Sequence, residues 1–189
     1  MKNNKMNVLF LSNMIAEKGV WTIVKAAKIL HEKDLSVEFH FVGKWSDITE
    51  DMFKCALIES HLEDVCLAHG GKYGKEKDDF WATADVFVFP TFYHNECFPL
   101  VLLEAMQHHL PCISTTEGGI PGIIDDKETG FLIEKHDFHT LADKLEYFIE
   151  HPEESERMGE NGYRKFNDKF TLKKFEETMV DILNDCLKG

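Results

Sequence analysis

Six short apolar runs recur along the chain, separated by segments of helical periodicity: Asn7–Leu11, Val37–Val42, Val65–Ala68, Val86–Phe89, Leu110–Ser114 and Phe131–Ile133. Runs without polar alternation mark strands buried on both faces, and intervening helices lay such strands side by side in a parallel sheet covered on both sides. The first helical segment, Lys18–Lys33, carries Val20, Ile23, Val24, Ala27 and Leu30 on one face. A second is expected over Asp47–His61, and another runs from about Phe98 to His109. Thr115–Gly122 reads as a glycine-rich turn. The fold class that follows is α/β: a Rossmann-like, three-layer α/β/α domain with a roughly six-stranded parallel sheet. Beyond the last run the period is helical only. One stripe holds Phe138, Leu141, Ala142, Leu145, Phe148 and Ile149, and another holds Leu172, Phe175, Met179, Ile182, Leu183 and Cys186. With no internal repeat or linker, the reading is one domain over 1–189, an α/β core over 6–150 and a carboxyl-terminal helical cap over 151–189.

Composition narrows the partners. The 34 acidic and 21 basic residues give a net charge of -13, which repels phosphodiester backbones and disfavours nucleic acid. Any phosphate site must therefore be local. No apolar run approaches the ~18 residues of a membrane span. The opening MKNNKMNVLFLSN turns polar at Ser12 and Asn13 too soon for a signal peptide, and reads as a tail and first strand. Five cysteines, with no pair at C-x-x-C spacing, argue against a disulfide framework and suggest a reducing cytoplasm with mostly buried thiols.

Ligands of doubly wound sheets sit beyond the carboxyl ends of the strands. The loops to search begin near Ser12, Gly43, His69, Pro90, Ser114 and Glu134. The fourth loop runs into NECFPLVLLE, Asn95–Glu104, where Pro99 suits a first helical turn. Cys97 and Phe98 lack a capping oxygen, which leaves the amides of Leu100 and Val101 for an outside acceptor such as phosphate. Glu104 lies four residues after Leu100, a rise of roughly 6 Å on the same face, and its carboxylate suits the hydroxyls of a ribose. Glu96 precedes the helix and suits hydroxyls of a transferred sugar. Spacing alone fits two solvated surface glutamates equally well.

The segment from Asn95 to Thr115, NECFPLVLLEAMQHHLPCIST, resembles the donor loop, helix and strand of the family 4 glycosyltransferases of the GT-B fold, the glycosyl transferases group 1. Their signature is two glutamates separated by seven residues around a Phe-containing turn, as Glu96, Phe98 and Glu104 stand here. The resemblance implies sugar contact for Glu96, ribose contact for Glu104, and pyrophosphate contact for the amides of Leu100 and Val101. The family's Gly after the Phe is Pro99, leaving one donor fewer. After the first strand, Lys18 and Gly19 match the family's Lys-Gly, which implies that Lys18 neutralises charge on the leaving nucleotide. The usual Arg of that loop is Asn13, which keeps a donor but not the charge. Gly43, Gly71 and Tyr73 fit positions lining nucleoside and base. Gly118 and Gly119 fit the turn near the donor sugar, where the Glu usual after the Pro is Gly122.

The resemblance implies a retaining hexosyltransferase that takes a nucleotide-sugar donor and needs no cofactor or metal. Among ten histidines, His94, His108 and His109 invite a metal reading, but no tight ligand spacing supports it. Neither G-x-G-x-x-G nor a P-loop occurs. The GT-B fold pairs two Rossmann-like domains, so an amino-terminal acceptor domain is expected to be missing from this chain, which would bind a donor without turning it over. A cytoplasmic enzyme is expected, peripheral to the inner face of the membrane in its full-length form, with a lipid or saccharide acceptor. The alternatives are a noncatalytic nucleotide-sugar-binding domain and a sugar epimerase of the same fold.

Overall fold

The computed structural model describes residues 5–188; the tail expected at residues 1–4 lies outside the described residues. Six parallel strands form one sheet: β1 (Met6–Leu11), β2 (Val37–Val42), β3 (Cys66–Ala68), β4 (Val86–Phe89), β5 (Cys112–Thr115) and β6 (Gly130–Ile133). Their spatial order is β3-β2-β1-β4-β5-β6. Helices α1 (Val20–Glu32), α2 (Glu50–Ser60), α3 (Lys75–Thr83), α4 (Leu100–Gln107) and the single turn α5 (Ile120–Ile123) connect successive strands. Helices α6 (Phe138–Glu150), α7 (Pro152–Lys169) and α8 (Leu172–Lys188) follow the sheet. The fold is thus the Rossmann-like α/β/α arrangement that the apolar runs imply.

Phenylalanine dominates the core. Phe10, Phe39, Phe41, Phe53, Phe87 and Phe89 are fully buried, with Phe41 meeting Phe53 edge-on at 4.9 Å and Phe10 at 5.7 Å. Strand β4, VFVF, is buried at every position, as expected of a strand covered on both faces. Helix α1 packs on α6, and α4 packs on α7. Two glycines allow the second contact: a Cβ at Gly159 would lie 2.0 Å from the carbonyl oxygen of His109, and one at Gly162 would touch Met106 at 3.4 Å. Asn161 and Arg157 of α7 also donate to the carbonyls of Glu128 and Lys127, each at 3.0 Å.

Element boundaries differ from expectation for local reasons. Helix α1 begins at Val20 because Gly19, at φ 91°, ends a 3-10 turn at Ala16–Lys18. Helix α2 begins at Glu50, where the Thr49 hydroxyl caps it by accepting from Met52 N. Strand β5 begins at Cys112 because His109, at φ 57°, turns the chain out of α4 and Pro111 has no N–H to give a ladder. The glycine-rich turn contains α5. Three thiols, Cys55, Cys97 and Cys186, are exposed and only Cys66 and Cys112 are buried, which corrects the expectation of mostly buried thiols. Burial pushes the Cys66 thiol up to about 12. The stripe of α8 remains in solvent, with Leu172 73% and Phe175 62% exposed, although α8 packs against α7.

His40 on β2 and His69 after β3 form a stacked pair, Nδ1 to Nε2 at 3.0 Å, against Phe80 of α3. Asn7 of β1 reaches the other nitrogen of His40 at 3.4 Å. Burial lowers both imidazoles below their ordinary value; Glu38 opposes this, Lys5 adds to it at His40, and His40 and Lys72 add to it at His69.

Two predictions follow from this packing. Gly159→Ala forces its methyl into a backbone carbonyl and is expected to cost about 1–3 kcal/mol, read as a melting temperature lower by roughly 3–10 °C. Gly122→Ala meets no atom within 4 Å and should not lower it. For the histidines, the unfolded chain takes up protons near pH ~6.5, whereas the folded pair takes them up only at lower pH. Stability is therefore complete above about pH 7 and falls as pH drops from there towards 5. His40→Gln should flatten that slope in thermal melts; an equal slope would remove the pair as its cause.

Candidate donor site at the strand-order reversal

Strands β1 and β4 are neighbours although two other strands separate them in sequence, so the order of the sheet reverses between them. The connections leaving their carboxyl ends go opposite ways and open a crevice there. The loop after β1 is pinned along its length. Met14, 1% exposed, donates from its N–H to the Lys44 carbonyl at 2.7 Å and accepts from Ile48 N, and Ala16 N donates to the Asp47 carboxylate at 3.1 Å. Gly43 lets this loop pass, since a Cβ there would sit 1.7 Å from the Ser12 carbonyl oxygen.

The loop after β4 is tied to it across the crevice. Phe92 N and the Thr91 hydroxyl both donate to the Glu17 carbonyl, at 2.8 and 3.3 Å. The Thr115 hydroxyl, at the end of β5, donates to the Thr91 carbonyl at 2.5 Å. These bonds bring Lys18 and Glu96 together: Nζ lies 2.5 Å from Oε2, with side chains 14% and 11% exposed. The ammonium also sits 4.3 Å from the centre of the Tyr93 ring and 5.6 Å from that of Phe89, a cation–π setting. Behind Glu96 runs the Gly118–Gly119 turn. Gly118 adopts φ 51°, and a Cβ there would lie 1.6 Å from the Glu96 carbonyl oxygen, while Gly119 N donates to the Cys97 carbonyl at 2.8 Å.

Helix α4 starts beside this pair. Its first residue is Leu100, two later than the sequence suggests, and Pro99 occupies the cap position rather than the first turn. No side chain caps the helix, and the amides of Leu100 and Val101 have no acceptor among the described residues. An open helix end of this kind favours an anion. Leu100 is 66% exposed and Phe98 44%, and the Phe98 ring meets that of Phe170 edge-on at 6.0 Å.

On the β2 and β3 side lies a cavity of about 160 Å³ whose walls include Asn13, Gly43, Lys44, Gly71, Tyr73 and Lys77. A larger hollow, about 550 Å³, opens among Met6, Asp85, Pro111 and Pro152 at the amino ends of the strands. Ligands of such sheets bind at the carboxyl ends, so the smaller cavity is the relevant one. Glu104 reaches towards its wall, its Oε2 accepting from Lys77 Nζ at 2.7 Å.

The geometry thus gathers the candidate residues into two adjoining groups. Lys18, Glu96, Gly118 and Gly119 meet at the reversal, and Asn13, Gly43, Gly71 and Tyr73 line the cavity, with Glu104 joined to it through Lys77. Sequence reading missed Lys44, Lys72, Lys77 and Tyr93. Nothing in local spacing marks Lys77, which is 27 positions from Glu104 and comes from a different helix. The histidines that invited a metal lie apart: His94 faces Glu17 at 3.6 Å, His109 faces Glu160 at 3.0 Å, and His108 stacks on Trp81. Among the described residues no group of three metal-ligating side chains forms.

Comparison with known proteins gives the context. The family model for glycosyl transferases group 1 matches residues 1–165. The capsular polysaccharide biosynthesis glycosyltransferase CapM of Staphylococcus aureus is 27% identical over 98% of this chain and 48% of its own length. The N-acetyl-alpha-D-glucosaminyl L-malate synthase of Bacillus anthracis is 30% identical over 96% of the chain and 47% of its own length. The chain therefore spans about half the length of these relatives. Among solved structures, HepE from Anabaena in complex with UDP superposes with a TM-score of 0.86 at 19% identity, covering 96% of this chain and 49% of that one. The carboxyl-terminal domain of LpcC from Francisella tularensis superposes with a TM-score of 0.78 at 24% identity, covering 89% of this chain and 87% of that one. By its family match, its relatives and its fold, the chain belongs to the glycosyl transferases group 1 and corresponds to the carboxyl-terminal domain of a GT-B glycosyltransferase.

Proposed function

We propose that this domain binds a nucleotide-sugar donor for retaining, metal-independent transfer of the sugar to a lipid or saccharide acceptor. The observation that carries the reading is the meeting of Lys18 and Glu96 at the strand-order reversal, beside the uncapped end of the helix that bears Glu104. The roles divide by chemistry. The diphosphate takes the free amides of Leu100 and Val101 and the ammonium of Lys18. Glu104 accepts from ribose hydroxyls, and Glu96, released from Lys18, accepts from hydroxyls of the sugar. The nucleoside lies along Gly43, Gly71 and Tyr73. In support, HepE, which shares this fold, was crystallised with UDP and with UDP-glucose.

In the transfer step the bond between the anomeric carbon and the diphosphate oxygen breaks, and its electron pair stays on that oxygen. Lys18 and the helix amides meet the charge as it develops, a preorganised electrostatic role in place of a metal ion. The acceptor hydroxyl attacks from the face the leaving group vacates, and its proton passes to the departing phosphate. Configuration at the anomeric carbon is retained. Acceptor recognition is assigned to a second domain, so this chain alone binds donor without turnover. We place the reaction in the cytoplasm, at the inner face of the membrane where the acceptor is a lipid. Among the described residues no helix is long and apolar enough to cross a membrane.

Titration calorimetry of the chain with UDP, GDP, ADP and their sugar conjugates tests the donor assignment. One nucleotide should bind, and Glu104→Ala should weaken it by about tenfold or more, the worth of one or two charge-assisted hydrogen bonds. Lys18→Ala should weaken the nucleoside diphosphate while leaving the bare nucleoside unchanged. Undiminished binding by Glu104→Ala would end the ribose assignment. For metal independence, transfer by a two-domain protein carrying this chain should survive excess EDTA; its loss would show a required cation.

A further inference from the structure

Lys77 enters the candidate site from α3, an element that contributes no other residue to it. Its ammonium lines the 160 Å³ cavity and lies 2.7 Å from Glu104 Oε2, with the two side chains 26% and 37% exposed. Among the described residues Lys77 is the one side-chain partner of Glu104, so the second oxygen, Oε1, retains its capacity to accept. The cavity has an unusual charge for a chain of net charge -13: its walls carry Lys44, Lys72 and Lys77 and no carboxylate. Lys72 pairs outward with Glu76 at 3.0 Å, and Lys44 packs over the Tyr73 ring. Of these three, Lys77 alone pairs with a carboxylate of the donor site.

We infer that Lys77 is a positioning residue for the ribose carboxylate, an inference that rests on the donor reading above. A glutamate on a helix has three rotatable side-chain bonds, and an exposed one samples several rotamers. The ion pair with Lys77 fixes one oxygen and so selects the rotamer in which the other meets the ribose. Lys77 also offsets the repulsion between the Glu104 carboxylate and an arriving diphosphate. Both effects act through Glu104, which sets Lys77 apart from a residue that contacts phosphate directly.

A double-mutant cycle decides the matter, with the tightest binder among UDP, GDP and ADP as probe and calorimetry on the full chain as readout. Lys77→Met should weaken that nucleotide by about tenfold, and Lys77→Arg should restore it to within about threefold. Bare nucleoside should also lose affinity in Lys77→Met, by a smaller factor than the diphosphate, because the rotamer effect is exerted at the ribose and only the repulsion needs the phosphates. In a Glu104→Gln background, Lys77→Met should cost little more, since its target is already gone. An undiminished affinity in folded Lys77→Met overturns the inference. So does an equal tenfold loss in the Glu104→Gln background, or a loss confined to the diphosphate with the nucleoside spared. These outcomes leave the donor reading intact if Glu104→Gln itself weakens binding. If Glu104→Gln binds as well as the parent chain, the ribose assignment fails and the inference fails with it; if none of the three nucleotides binds the parent chain, the donor reading itself fails. Melting curves of each variant, with Lys77→Gln as a second neutral replacement, separate lost positioning from lost folding.

Discussion

The contact on which the rest depends is the pairing of β1 with β4. It places two strands from distant parts of the chain side by side at the point where the connections turn opposite ways. Helix α1 leaves one strand and α4 follows the other, so the loops at their carboxyl ends diverge and leave a gap that backbone does not fill. Everything assigned to the site is reached from this gap. Lys18 stands at its first edge and Glu96 at its second, and the Gly118 turn closes the floor. The fully buried VFVF of β4 anchors the arrangement, because a strand apolar on both faces belongs at the centre of a sheet covered on both sides.

Charge sets the second constraint. An acidic chain that is to hold a diphosphate must concentrate cations locally, and the resulting ammonium groups must be satisfied when no phosphate is there. The structure pairs two lysines with carboxylates of the same site, Lys18 with Glu96 and Lys77 with Glu104. The first pair is mostly buried, where an unpaired charge would be costly. In the proposed donor complex the first pair exchanges partners, phosphate for Lys18 and sugar hydroxyls for Glu96, while the second stays closed, with Lys77 on one oxygen of Glu104 and the ribose on the other.

Much of this was legible in the sequence. The six apolar runs, the amphipathic stripe of Val20–Leu30 and the segment around Glu96 and Glu104 all record strong local requirements, so strands, α1 and the candidate carboxylates could be read directly. What escaped depends on contacts across the chain. Lys77 gains its place from the ion pair that joins α3 to Glu104 of α4, and no period marks it. Tyr93 looks like any loop aromatic until Lys18 settles over its ring. Boundaries slipped where a single backbone conformation overrode propensity, as at Gly19 and His109. The stripe of α8 shows the converse: its apolar period is genuine, yet period alone does not say what a helix face packs against, and here Leu172, Phe175 and Met179 remain exposed.

The close approach of Gly118 to Glu96 separates what is rigid in the site from what can move. With the Glu96 carbonyl oxygen where a Cβ of residue 118 would be, and Gly119 N bonded to the Cys97 carbonyl, the backbone of the Glu96 loop is held by the turn behind it. Among the described residues the Glu96 side chain has no such tether beyond Lys18. Exchange of partners on donor binding therefore calls for rotation about side-chain bonds, a fast event, against a fixed main chain. The same division holds at α4, which packs on α7 through Gly159 at the His109 carbonyl, and whose Glu104 has Lys77 as its side-chain partner among the described residues. A site built this way keeps its geometry on the scaffold and its adaptability in four side chains, which is the arrangement that preorganised binding requires.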